Sequence, residues 1–138
     1  MIVLIDTDVL LDVALKRIEF FEDSMKIIDL AEEKKINGFI AWHSLSNLYY
    51  LTSSASKKGN AKEFISDLLE FIQVANTNSD SAIHAVNMDV PDFEDALQIS
   101  SAIQCNANFI ITRNIKHYKK SIIKPLTPTQ FLKVLDEK

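Results

Sequence analysis

The sequence has few of the residues on which several common active sites depend. It contains two glycines in 138 residues, so it lacks the glycine-rich loops that bind dinucleotides or the phosphates of nucleoside triphosphates. It has one cysteine, Cys105, which excludes an intrachain disulfide and a zinc site built from several thiolates. The patterns G-x-S-x-G and H-E-x-x-H are absent, so the usual markers of serine hydrolases and zinc proteases are missing.

Long hydrophobic runs and a cationic start are also absent. No apolar stretch approaches the roughly 20 residues that a membrane span needs. The first charged residue is Asp6, unlike the positive start of a secretory leader, and a lone cysteine suits a reducing cytosol. We therefore expect a soluble, cytoplasmic protein with no membrane partner. The net charge of −4 argues against a surface covered with phosphate-binding residues, although a local basic face is compatible with it.

Short apolar runs alternate with amphipathic stretches along the chain. The runs at residues 2–5, 39–41 and 109–111 predict strands, with weaker strands at 74–75 and 122–123. Helical spacing of apolar residues predicts the connecting helices, and a serine- and lysine-rich stretch at 53–60 predicts a surface loop. Strands that alternate with helices predict one α/β domain over residues 1–138, with a mainly parallel sheet and helices on both faces.

Acidic and amide side chains follow two of the predicted strands and open one of the predicted helices. Polar residues at the carboxyl ends of parallel strands meet at one edge of the sheet, where strand order reverses. The residues in question are Asp6 and Asp8 after the first strand, Thr112, Arg113 and Asn114 after the strand at 109–111, and Asp92 and Asp95 at a helix start. Several oxygen ligands without soft ones suit Mg²⁺ or Mn²⁺ better than zinc.

Each of these residues also has a simpler interpretation. Asp6 or Asp8 alone could only cap the helix that follows its strand. Asp92 and Asp95 have the spacing of an acidic capping pair that favours the helix dipole. Asn114 could be a turn residue, and Asp12 is interpreted as a solvated helix position.

Four segments in order resemble one known family. They are LIDTDVLLD at 4–12, SLSNLYY at 44–50, DFEDALQ at 92–98 and IITRN at 110–114. Together they resemble the PIN-domain nucleases, particularly the bacterial branch that contains VapC-like toxin ribonucleases. The resemblance implies a single-domain three-layer α/β/α sandwich with a mainly parallel central sheet and a metal-dependent phosphodiesterase site made of acidic residues.

The resemblance assigns Asp6 as the aspartate of the first motif and Asp95 as that of the third. Two positions depart from the family pattern, because Asn47 stands where the family usually has glutamate and Asn114 where it usually has aspartate. Asp8 occupies a position where the family often has asparagine, so one acid could have moved. The loss of two formal charges leaves a catalytically degenerate member of the family as the alternative.

The candidate site follows from these assignments. Asp6 and Asp95 are expected to bind Mg²⁺ or Mn²⁺ directly, and Asp8 or Asp92 to act through water or to orient the nucleophile. The candidate catalytic residues are Asp6, Asp8, Asp92 and Asp95; the candidate metal ligands are Asp6, Asp92, Asp95 and Asn114; Thr112 and Asn47 are expected to support them without touching the ion.

A basic segment begins beside the candidate site. From residue 113 to residue 124 the chain has five lysines and arginines and no Asp or Glu, which makes Arg113, Lys116 and Lys119 candidates for substrate binding. The same segment could equally be a solvated loop. Tyr118 within it could stack on a base or be buried in the core.

Two functions from different classes remain open on the sequence. The first is a metal-dependent endoribonuclease that hydrolyses RNA and is the toxin of a toxin–antitoxin pair, held inactive by an antitoxin peptide, with a homodimer left open. The second is a PIN-like nucleic-acid-binding or scaffold protein that has lost catalysis, with Asn47 and Asn114 as the marks of that loss.

Overall fold

The computed structural model describes residues 1–55 and 60–137, and this part of the chain forms a five-stranded sheet flanked by helices. Strands and helices alternate in the order β1 (Ile2–Ile5), α1 (Thr7–Ala14), α2 (Ile18–Glu32), β2 (Asn37–Ile40), α3 (Trp42–Ala55), α4 (Asn60–Leu68), β3 (Gln73–Val74), α5 (Ser79–Val86), α6 (Phe93–Gln104), β4 (Phe109–Ile111), β5 (Lys124–Leu126) and α7 (Pro128–Asp136). A 3₁₀ turn, Ile115–Tyr118, lies between β4 and β5.

The sheet is parallel throughout and its strand order reverses beside β1. The order is β3-β2-β1-β4-β5, so the chain adds two strands on one side of β1 and then two on the other. In the register of β1 with β4, Ile5 pairs with Ile111, and the backbone N–H of Asp6 donates to the Ile111 carbonyl at 2.9 Å. The residues just after these strands therefore lie side by side at the switch point, where open α/β sheets bind ligands.

Helices cover both faces of the sheet and enclose two apolar clusters. Val3 and Ile5 of β1 pack in one cluster with residues of α1, α2 and α7, whereas Leu4 packs in the other with Ile99 of α6. This alternation follows from the two-residue period of a strand. The result is the three-layer α/β/α sandwich that the sequence predicts.

Some element boundaries differ from the predicted ones. β2 begins at Asn37, before the apolar run, because Asn37 and Gly38 pair with Ile2 and Val3 of the neighbouring strand. β5 is Lys124–Leu126 instead of residues 122–123, and Ile122 is 81% exposed. Pro125 is tolerated because β5 is an edge strand.

The two ends of the loop predicted at 53–60 are helical in the structure. α3 continues through Ala55 and α4 begins at Asn60, and the prediction for residues 56–59 lies outside the described residues. Among residues 1–55 and 60–137, no helix is long and apolar enough to cross a membrane.

Candidate functional site

An acidic cleft of about 500 Å³ opens at the switch point of the sheet. Its lining includes residues from the ends of β1 and β4, from α3 and from the start of α6. Five carboxylates contribute to this lining: Asp6, Asp8, Asp92, Glu94 and Asp95. The structure thus brings the four predicted catalytic aspartates to one cleft and adds Glu94, which the sequence reasoning did not select.

Asp6 caps α1 and accepts four hydrogen bonds. Its Oδ1 accepts from the Thr7 backbone N–H at 2.7 Å and from Gln98 Nε2 at 3.3 Å. Its Oδ2 accepts from the Thr112 hydroxyl at 2.9 Å and from the Tyr118 hydroxyl at 2.8 Å. A carboxylate has about four acceptor positions, so these donors fix the orientation of Asp6. Direct binding of a cation to Asp6 therefore requires one donor to turn away.

Thr112 is the donor with a second acceptor within reach. Its hydroxyl oxygen lies 3.3 Å from Asp8 Oδ2, besides the 2.9 Å contact with Asp6. A hydroxyl carries one proton and donates it to one of the two carboxylates at a time. Thr112 can therefore turn from Asp6 to Asp8 without losing a hydrogen-bond acceptor, which leaves Tyr118 as the donor to Oδ2 of Asp6. The supporting role of Thr112 stays a prediction.

Asp8 is held by the loop that follows β4. Its Oδ2 accepts from the Arg113 backbone N–H at 3.2 Å and from Asn114 Nδ2 at 3.0 Å. Burial, and next the charge of Asp6, raise the pKa of Asp8 to about 7. Within the described residues, Oδ1 of Asp8 is buried and has no hydrogen-bond partner. Asn114 thus directs its amide nitrogen, instead of the expected ligand oxygen, at this carboxylate.

The first turn of α6 supplies the other three carboxylates. Asp92 caps the helix as the sequence predicts, since it accepts from the Asp95 backbone N–H at 3.1 Å. Burial, and next the charge of Asp92, raise the pKa of Asp95 to about 6, while His117 with its Nδ1 3.7 Å from Asp95 Oδ2 opposes this rise. Glu94 accepts a hydrogen bond from Asn47 Nδ2 at 3.0 Å, and burial followed by the charge of Asp6 raises its pKa.

The donor set of the cleft fits a hard divalent cation in chemistry but not yet in geometry. The lining offers carboxylate and amide oxygens, the ligands that Mg²⁺ and Mn²⁺ prefer. In the part of the chain that the structure describes, however, no three Asp, Glu, His or Cys side chains lie close enough together to hold one ion. Four of the five carboxylates accept hydrogen bonds from neighbouring donors, so binding requires side-chain rotation by exposed residues such as Asp92 and Glu94.

A buried polar network supports the cleft from below. Gln98 is 1% exposed and donates from Nε2 to Ser44 Oγ at 2.9 Å as well as to Asp6. Ser44 Oγ in turn accepts from the Thr7 hydroxyl at 2.9 Å. These residues were missed as site residues. The available signal was the spacing of Gln98 three positions after Asp95, which places both on one face of α6.

Asp12 and Arg113 form an ion pair that the sequence did not predict. Asp12 is 0% exposed, so its interpretation as a solvated helix position is wrong. Its carboxylate lies 2.8 Å from Nε of Arg113, which follows β4, and 3.4 Å from Nη1 of Arg17, which follows α1. A buried charge needs such partners. The Arg113 guanidinium also lies 4.1 Å above the Phe20 ring. Arg113 therefore links the loop after β4 to α1 and does not line the acidic cleft, and its role in substrate binding stays a prediction.

A basic groove adjoins the acidic cleft. It has a volume of about 430 Å³, and its cationic lining comes from Lys116, Lys119 and Lys120. Asp95 and His117 line both the groove and the cleft, so the two are continuous. Lys116 and Lys119 thus lie in the same groove as Asp95, and their role in substrate binding stays a prediction.

Tyr118 ends the 3₁₀ turn and its side chain lies in the core. It is 1% exposed, which agrees with the buried alternative and leaves its ring no face for a base. Burial, and next the charge of Asp6, raise the pKa of its hydroxyl. The hydroxyl is therefore a neutral donor to Asp6.

Comparisons with known proteins agree with this architecture. A sequence model of the PIN domain matches residues 2–116. Among solved structures, the chain is similar to VapBC2 from Rickettsia felis bound to a DNA fragment from their promoter, with 20% identity, coverage of 92% of this chain and 98% of that chain, and a TM-score of 0.67. It is also similar to VapBC-1 from nontypeable Haemophilus influenzae, with 17% identity, coverage of 94% and 99%, and a TM-score of 0.67. A search of curated proteins gives no significant match.

The solved structures support the fold, and the sequence match decides the family. The matched range, residues 2–116, contains all four segments that carry the resemblance and most of the carboxylate cleft. The chain belongs to the PIN-domain family.

Proposed function

We propose that this protein is a divalent-cation-dependent endoribonuclease that hydrolyses phosphodiester bonds of RNA, and that it is the toxin of a toxin–antitoxin pair. The observation that carries the proposal is the collection of five carboxylates in one cleft at the switch point of a PIN-domain sheet. PIN-domain proteins are typically nucleases, and the carboxylates of the cleft could supply ligands for such chemistry.

The charge of the cleft explains why a cation is needed. Clustered carboxylates repel the phosphodiester, and burial with mutual repulsion already raises the pKa values of Asp8 and Asp95. A bound Mg²⁺ or Mn²⁺ would offset the charge of both the carboxylates and the substrate and polarise the phosphodiester. Asp6 and Asp95 would hold the ion, with Asp92 contributing directly or through water. Asn114 could contribute only after its amide turns, because Nδ2 now faces Asp8.

Asp8 is suited to orient the attacking water. Its Oδ2 is occupied by donors from the loop after β4, whereas its Oδ1 is buried and has no partner among the described residues. Asp8 lines the cleft, so a rotation of its side chain would expose this free acceptor to a water molecule, from which it could accept a proton. We assign this role to Asp8 in preference to Asp92, which caps α6 with its side chain.

The basic groove is the proposed path of the RNA backbone. It continues from the acidic cleft, and Lys116 and Lys119 are exposed along it. Lysines that neutralise phosphates release condensed counterions and so gain affinity that depends on salt and not on base sequence. A strand bound there would extend past His117 into the cleft.

An antitoxin is the proposed protein partner. The two solved structures named above are VapBC proteins, and one of them includes promoter DNA. Two large apolar side chains also line the cleft and are exposed: Tyr50 is 66% exposed and Leu51 50%. A partner segment that covers these side chains would bury apolar surface and close the cleft at the same time.

A non-catalytic PIN-domain protein that binds nucleic acid is the second candidate. Asn47 and Asn114 replace acids of the family pattern, and no three described carboxylates converge on one point. This candidate would bind RNA through the basic groove without hydrolysing it.

A cleavage assay separates the two functions. Purified protein is incubated with labelled single-stranded RNA in Mn²⁺, in Mg²⁺ or in a chelator, beside Asp95→Asn. Asp80→Asn is the matched control, because Asp80 is an exposed acid in the first turn of α5. We expect cleavage with metal by the parent and the control only. Binding without cleavage under every condition would support the second candidate.

A further inference from the structure

Asn47 and Glu94 form a contact across the acidic cleft. Nδ2 of Asn47, on α3, donates to Oε1 of Glu94, on α6, at 3.0 Å. The two residues are 47 positions apart in the chain and meet only because the helices pack on either side of the cleft. The contact places a carboxylate within one hydrogen bond of the position that is occupied by glutamate in the family pattern.

We infer that Glu94 supplies the anionic ligand that is missing at position 47, so that the charge has moved from α3 to α6 instead of being lost. The inference rests on the proposed function, since it adds a ligand to the same cation site. Glu94 lines the cleft together with Asp6 and Asp95. Its side chain is long enough to keep the contact with Asn47 while its second carboxylate oxygen stays available.

Asn47 has a defined part in this arrangement. Its amide can donate to a carboxylate, whereas a glutamate at position 47 would repel Glu94. The hydrogen bond restricts an exposed side chain that would otherwise lose rotamer freedom when it binds an ion. Asn47 is therefore a positioning residue, and Glu94 is the ligand.

A purely structural role for Glu94 makes different predictions. Glu94 lies in the first turn of α6, where an acid favours the helix dipole, and its bond to Asn47 ties α6 to α3. In that case the loss of its charge would lower the melting temperature equally with and without metal. If Glu94 is a ligand, loss of its charge leaves the metal-free melting temperature unchanged or raises it, because the nearby acids repel Glu94. Only the increase in melting temperature caused by metal then becomes smaller.

The test is calorimetric titration with Mn²⁺, together with melting curves in chelator and in Mn²⁺. Glu94→Gln keeps an acceptor for Asn47 and removes the charge. Asn47→Glu in the Glu94→Gln background returns the charge to α3, where the glutamine amide introduced on α6 can donate to it. Asp80→Asn is the control, since it removes an exposed acid from the first turn of α5, outside the cleft.

We expect Glu94→Gln to weaken Mn²⁺ binding about tenfold or more, a scale on which even supporting residues change metal affinity. The double variant should return to within about threefold of the parent, and the control should match the parent. Unchanged affinity in Glu94→Gln, or a double variant that stays as weak as the single one, would overturn the inference while leaving the cation site in place. A parent protein that binds no Mn²⁺ would instead overturn the proposed function.

Discussion

Asp8 should make the stability of the metal-free protein depend on pH. Its pKa is raised from 3.8 to about 7, first by burial and next by the charge of Asp6. When the pKa of a group is higher in the folded protein than in the unfolded chain, its contribution to stability is complete at pH values below the pKa in the unfolded chain. This contribution is lost as pH rises through the pKa in the folded protein. Between about pH 4.5 and about pH 7.5 the loss of stability from Asp8 is at most about 3 kcal/mol.

Asp8→Asn removes this term, and its effect must be read from the pH dependence. The asparagine oxygen can accept from Arg113 and Asn114 as Oδ2 now does. Its amide nitrogen would take the place of Oδ1, which is buried without a partner among the described residues. An unpaired buried donor costs about 1 to 3 kcal/mol at every pH, so the variant can be less stable than the parent at low pH.

The assay is urea unfolding in a chelator at about pH 4.5 and about pH 7.5. We expect the parent to lose up to about 3 kcal/mol more unfolding free energy than Asp8→Asn over this interval. Contributions from Asp95 and other groups appear in both proteins and cancel in the difference. If parent and variant lose the same free energy within about 0.5 kcal/mol, the reasoning about burial and repulsion at Asp8 is refuted.

Three further changes test other parts of the structure. Asp12→Asn should lower the unfolding free energy by about 2 to 4 kcal/mol, because it leaves the guanidinium of Arg113, now 2.8 Å away, without its anion; urea unfolding measures this loss. Lys116→Ala with Lys119→Ala should weaken RNA binding similarly for all sequences and reduce the log–log salt slope by about 1.4, at roughly 0.7 for each phosphate contact, as salt-dependent binding measures. Asn114→Asp should lower the metal-free melting temperature, because it replaces a donor to a carboxylate with a second charge, and it should enlarge the rise caused by Mn²⁺ in the same melting experiment.

Matched controls make these outcomes specific. Asp89→Asn breaks the exposed pair with Lys120 and should change stability by less than about 1 kcal/mol. Lys34→Ala with Lys35→Ala removes two exposed lysines after α2, outside the basic groove, and should leave the salt slope unchanged. An Asp12 variant as stable as the parent, or equal slopes in the two lysine variants, would contradict the assigned roles.

The parts of the fold that the sequence predicted well are those set by local patterns. β1 and β4 are continuous apolar runs followed by polar residues, and their pairing brings Asp6 beside Thr112. Asp92 was predicted as a cap because a cap is determined within one helical turn. The edge of the sheet that carries the acidic residues followed from the same reasoning.

Contacts between distant elements were not accessible in this way. The hydroxyl of Tyr118 reaches Asp6 across 112 positions, and the contact depends on the 3₁₀ turn that follows β4. Asp12 looks like a surface residue in its own helix, yet arginines from two other places in the chain enclose it. The hydrogen bond between Asn47 and Glu94 likewise arises from helix packing. From the sequence alone, Asn47 is only a replacement for an acid of the family pattern.

The acidic cleft as a divalent-cation site is the central claim, and melting curves over a range of Mn²⁺ concentrations test it most directly. At about 100 times the dissociation constant, a ligand that binds only the folded state adds about 2.7 kcal/mol, which corresponds to a rise of roughly 10 °C for a chain of this length. Asp6→Asn with Asp95→Asn, compared with its own metal-free baseline, should show no rise. A parent melting temperature that stays constant through millimolar Mn²⁺, or an equal rise in the double variant, would contradict the claim.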